Sequence, residues 1–257
     1  MNSLVKGWAG LGVVLAIAVT ARAVDTMSIS IGLRETNSAQ DIGGNGGTSG
    51  PIEWVNLDGQ TLTLDGTWQQ FTFHLATDPI TAFTGNGILE STTGKGVLEH
   101  IRYKSNGGMI GNSPVSIWID DLVDNIDPAG PPPPTDVVVQ DWEAFNPPAE
   151  VTFQEPRFSG STSANLQLMP NLSVVDDTVA HNGVHSYRSD FQFIDNDPSR
   201  WVRLTTFNTP NQPNPTVQFD MNSTITFWLR GLAVPEPGSL LLLAVPAILA
   251  LRKRRTA

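Results

Sequence analysis

Between residues 24 and 233 no long stretch places apolar residues at helical spacing; short alternating segments recur instead. They fall at 27–33, 60–64, 69–75, 97–103, 115–123, 137–142, 186–193, 201–207, 217–219 and 224–229, and are rich in Thr, Val, Ile, Phe and Trp. Gly, Pro, Asn and Asp clusters separate them. Period-two alternation gives each segment one apolar face, which has to be covered by a second layer. Many short strands joined by Gly/Pro turns predict an all-β fold, a jelly-roll-like β-sandwich. The chain has no cysteine, so neither disulfides nor thiolate sites contribute.

One proline-rich stretch, 127–135 (DPAGPPPPT), is stiff enough to act as a linker. It divides the strand-forming region into 24–126 and 136–233. The second part contains VVVQDWEAF (137–145), FSGSTSANL, AHNGVHSYRSDFQF and WVRLTT. This resembles the first half of a carbohydrate-binding-module jelly roll. The first part contains GTWQQFTFHL (66–75), LEHIRY and VSIWIDDLVD (115–124), which resemble the second half of that fold. The halves therefore stand in reversed order. A seven-residue pattern also occurs twice: Thr224-Ile-Thr-Phe-Trp-Leu-Arg230 matches Ser28-Ile-Ser-Ile-Gly-Leu-Arg34 by residue type, except Trp228 against Gly32. Two architectures follow, one circularly permuted galactose-binding-like sandwich or two small sandwiches. The single sandwich is preferred, because each half alone leaves open sheet edges.

The two ends of the chain are different. Lys6, an apolar run over 11–19 and the small-x-small site Ala21-Arg22-Ala23 have the form of a cleavable signal helix, with signal peptidase cutting after Ala23. At the other end, Val234-Pro235-Glu236-Pro237 is followed by an apolar helix-forming run over 240–251 and then by Arg252, Lys253, Arg254 and Arg255. Twelve residues reach about 18 Å along a helix, short of a ~30 Å hydrocarbon core. The basic end acts as a cytoplasmic stop, leaving the Pro-Glu-Pro on the outer side. Motif, short hydrophobic helix and basic end together resemble the PEP-CTERM sorting signal of Gram-negative bacteria. The resemblance implies recognition of Pro-Glu-Pro by an exosortase, transient insertion in the inner membrane, and delivery to the cell surface or extracellular matrix.

The chain carries 15 Lys and Arg against 25 Asp and Glu, a net charge of −10. Outside residues 24–237 lie six of the bases and no acid, so the exported part has a net charge of −16. Such a surface disfavours nucleic acid and anionic lipid as partners and is compatible with calcium.

Candidate sites follow from these patterns. Asp120, Asp121 and Asp124 belong to one strand, Asp141 and Glu143 to another that is its neighbour in the resembling modules. Strand alternation sends Asp120 and Asp121 to opposite faces, so Asp121 is paired with Glu143 as a structural calcium site. The competing reading is solvated carboxylates. His181 and His185 flank Asn-Gly and read as turn residues; His100 is isolated. Trp68, Trp118, Trp201 and Trp228 read as core. Trp54, between Gly and Pro signals beside Glu53 and Asn56, is the candidate exposed platform for a sugar ring. No Gly-x-Ser-x-Gly motif occurs and no glycine run precedes a phosphate-binding helix. The resulting expectation is a non-catalytic, exported sandwich that binds exopolysaccharide. The alternatives are a secreted glycan hydrolase or lyase on a jelly-roll scaffold, and a purely structural matrix component.

Overall fold

The computed structural model describes residues 24–35, 51–108, 113–126, 136–207 and 218–233. The signal segment with Ala21 and Ala23, the proline stretch 127–135 and the sorting segment from Val234 to Arg255 lie outside the described residues.

The described chain is all-β, with two antiparallel sheets face to face. In chain order the strands are β1 (Thr26–Glu35), β2 (Ile52–Thr63), β3 (Asp65–His74), β4 (Ile80–Ala82), β5 (Lys95–Ser105), β6 (Val115–Asn125), β7 (Asp136–Gln140), β8 (Leu172–Asp176), β9 (Ser186–Phe191), β10 (Trp201–Thr205), β11 (Gln218–Asp220) and β12 (Thr224–Ala233). Sheet A runs β10-β5-β1-β2-β4, with β11 also paired to β5. Sheet B runs β3-β12-β6-β9-β8, with β7 also paired to β6. Strands from both sides of the proline stretch enter both sheets: β10 and β11 lie beside β5, and β12 sits between β3 and β6.

The inward faces alternate as the sequence does. Ile29, Ile31 and Leu33 of β1 meet a core that includes Ile225, Phe227 and Leu229 of β12, all at 0% exposure. Phe71 and Phe73 of β3 stack on Phe227 at centroid distances of 6.2 and 5.8 Å. Trp142 and Tyr187 close one end of this core, with Trp142 Nε1 donating to Thr152 Oγ1.

Two departures from regular pairing shape the outer faces. Opposite β1 the register of β5 shifts between His100 and Leu98, leaving Glu99 as an extra residue. Opposite β12 the register of β6 shifts between Val123 and Asp120, and Asp121 there has φ 49°. Each is a β-bulge, which re-aims a side chain that plain alternation would place elsewhere.

Three stretches of strand lie outside the alternating segments of the sequence: β4, β8 and the first half of β2. Residues 52–59 contain Asn56, Asp58 and Gly59, which read as a turn. In the fold Asn56 and Asp58 do take positive φ, 51° and 57°, but inside a continuing strand. There the β1–β2 register shifts between Ile29 and Ile31.

Candidate functional site

A concave cavity of about 310 Å³ opens on the outer face of sheet A. Its floor is built by outward-facing positions of three adjacent strands: Arg34 from β1, Glu99 and His100 from β5, and Arg203 from β10. Ile52, Phe83 and Phe158 form apolar walls, and Thr84, Ser159 and Thr205 contribute hydroxyls. This volume is at the lower end of the roughly 300–1,000 Å³ common for small-molecule sites.

The floor is electrostatically ordered. Arg34 grips Glu99 with two parallel bonds, Nε to Oε2 at 2.8 Å and Nη2 to Oε1 at 3.0 Å, and both residues are buried. Such fork-to-carboxylate pairing fixes geometry as well as charge. Burial, reinforced by the nearby Arg203 and Arg34 cations, holds His100 well below its ordinary pKa. The imidazole is therefore neutral at pH 7. Arg203 Nη1 lies 3.4 Å from His100 Nε2, and a guanidinium can only donate, so Nε2 accepts. The ring proton then sits on Nδ1, 3.2 Å from Thr205 Oγ1. The Arg203 guanidinium also covers the Phe83 ring at 4.9 Å and donates from Nε to Ser159 Oγ at 2.6 Å.

Trp54 is not an exposed loop residue. It lies within β2, is 4% exposed, and packs beside Phe83, His100 and Trp201. It lies over Gly32 on the outer face, beside the cavity, and does not offer a free face to a sugar ring. The tryptophans read as core are not part of the inter-sheet core either. Trp201 lies on the outer face of sheet A, under the Arg102 guanidinium at 5.0 Å. Trp118 and Trp228 lie on the outer face of sheet B, where the alternating Ile117, Ile119, Phe227 and Leu229 take the inner positions.

The acidic residues come together around one turn on the outside of sheet B. Asp120 Oδ2 accepts from the backbone N–H of His181 at 2.8 Å and of Asn182 at 3.3 Å. Asp121 Oδ2 is 2.6 Å from His181 Nδ1. Glu143 Oε1 accepts from the N–H groups of Val184 and His185 at 2.9 and 2.8 Å. The His181 ring stacks on Trp228 at 4.0 Å. The expectation that Asp120 and Asp121 diverge is thus corrected: the bulge brings both carboxylates to His181. Asp121 and Glu143 do serve the same turn, but as acceptors for N–H groups. Calcium requires six to eight oxygens. No group of three or more His, Cys, Asp or Glu able to hold a metal occurs among the described residues.

The functional floor escaped sequence reasoning. The available signal was the row His100, Arg102, Lys104 alternating with Ile101 and Tyr103, a basic outward face in a strongly acidic chain. No family model, curated protein or solved structure matches the chain.

Proposed function

We propose that this is an exported protein, processed by an exosortase and placed at the cell surface or in the extracellular matrix, whose β-sandwich binds exopolysaccharide without catalysis. The observation that carries the binding half is the sheet A cavity. Apolar walls beside hydroxyls and fixed hydrogen-bonding side chains suit the alternating C–H and O–H faces of a sugar unit. The export half rests on the tail, where Pro235, Glu236 and Pro237 form the recognition motif and Arg252, Lys253, Arg254 and Arg255 the topological stop.

Glycan arrays combined with mass spectrometry of the bound glycans test the binding half. Retention of intact polysaccharide supports it. Released fragments favour a hydrolase or lyase, and absence of retention favours a structural matrix component. For the export half, Glu236→Ala is expected to leave the protein unprocessed in the inner membrane; normal surface delivery of that variant counts against it.

A further inference from the structure

We infer that the sheet A cavity takes an acidic sugar unit, with Arg203 receiving its carboxylate. This rests on the reading of the cavity as a saccharide site and names the chemical class of saccharide.

Arg203 differs from the other cations among the described residues. Arg34 is matched by Glu99. Arg102 and Lys104 share Asp58, Lys95 meets Asp220, Arg188 meets Asp176, and Arg200 meets Asp195. Arg157 and Arg230 have no carboxylate but donate to backbone carbonyls, of Ser163, Leu166 and Gln167 and of Gly66 respectively. Among the described residues Arg203 has neither a carboxylate within ion-pair distance nor a carbonyl acceptor. Its partners are a hydroxyl, a neutral imidazole and an aromatic face. Arg203 is half-buried, so its guanidinium is weakly solvated, and Glu99, the carboxylate that acts on it, is already held by both bonds of Arg34.

The remaining features specify the anion. With Arg34 and Glu99 cancelling and His100 neutral, the cavity keeps one positive charge, which suits a single carboxylate. About 310 Å³ bounded by Ile52, Phe83 and Phe158 is more room, and more apolar surface, than a bare inorganic anion uses. Thr84 Oγ1 accepts from the Ile52 N–H at 2.8 Å and Thr205 Oγ1 lies 3.2 Å from His100 Nδ1, so each hydroxyl in the lining still has its own proton to donate.

The test is calorimetric titration of the full chain, held in mild detergent. The probes are tetramers of galacturonate, glucuronate and mannuronate, their methyl esters, and inorganic phosphate. At least one acidic tetramer is expected to bind tenfold or more tightly than its ester. Arg203→Gln should bring that acid down to the affinity of the ester, with an unchanged melting temperature showing that the variant is folded. Arg203→Lys should retain part of the preference, since lysine keeps the charge but loses the fork. Equal binding of acids and esters overturns the inference and leaves saccharide binding standing. Phosphate binding as tight as the best acid also overturns it, in favour of a simple anion site. Binding of none of the probes overturns both readings.

Discussion

The interior strands β1 and β12 carry the same pattern, one in each sheet and each with a neighbour on both sides. Ser28 to Arg34 and Thr224 to Arg230 send alternate residues into the shared core. Beside each strand runs a bulged neighbour that brings an acid to the outer surface, Glu99 on β5 and Asp121 on β6. The two outer faces then diverge at the single position where the patterns differ. Gly32 leaves a gap that the Trp54 indole fills from β2, beside His100 of the cavity floor. Trp228 occupies the equivalent gap itself, and His181 stacks on it and closes the surface.

The largest effect separates the two arginines that end the patterns. Arg34 is held by a buried carboxylate, whereas Arg230 donates to the Gly66 carbonyl and lies over Trp118. Removing one member of a buried ion pair typically costs about 3–5 kcal/mol. Glu99→Ala is expected to lower stability by that amount in urea unfolding. A loss below about 1 kcal/mol would show that solvent reaches the floor and that the pair is not equivalent to a buried one.

Gly32→Ala probes the divergence directly. A Cβ there would lie 2.9 Å from Trp54 Cζ3 and 3.1 Å from His100 Cβ, so the indole or the strand must shift. Overpacking of this kind costs about 1–3 kcal/mol. The variant should unfold at lower urea with a changed tryptophan emission. An unchanged midpoint means that Trp54 can move freely, and the gap at Gly32 then does not fix its place.

Sheet B offers a pH test of its cap. Burial raises the Asp120 carboxyl from 3.8 to about 6, against the opposing pull of three backbone N–H groups. Between about pH 4 and 6 the folded state therefore keeps a proton that the unfolded state has released. Stability falls as pH rises through that window, by about 1–3 kcal/mol in all. Asp120→Asn keeps an acceptor but cannot ionise, so its stability should be flatter over the same range. Equal slopes for both proteins would assign the titration to other acids whose carboxyls burial raises, Asp124 and Asp190.

Strand alternation made the sandwich legible in the sequence, because period two is a local signal that survives into the fold. The repeated pattern was legible too, but its meaning was not. The match of 28–34 with 224–230 suggested one shared location, and the strands instead sit in opposite sheets with the same orientation toward the core. Bulges account for most of the errors at the sites. A bulge depends on the partner strand, so neither the convergence of Asp120 and Asp121 nor the placement of Glu99 follows from counting alternate residues. Trp54 was misplaced because Asn56 and Asp58 resemble a turn, while pairing with β1 carries the strand through them. The cavity floor draws on β1, β5 and β10, which are distant in sequence, so no local pattern brings Arg34, Glu99, His100 and Arg203 together.

The smallest effect concerns Arg230, and it decides whether the two faces differ in energy as they do in shape. Its guanidinium lies 4.8 Å from the Trp118 ring, and Nε donates to Gly66 O at 2.6 Å. A partly exposed cation–π contact contributes about 0.5–1 kcal/mol and a hydrogen bond a similar net amount. Arg230→Ala should therefore cost about 1 kcal/mol, well below Glu99→Ala on the opposite face. The contrast depends on the partners and not on the arginines, since both end the same pattern on interior strands. Combining Arg230→Ala with Trp118→Phe should cost less than the sum of the two single changes, because the contact can be lost only once. Strict additivity would mean that Arg230 is held by Gly66 alone.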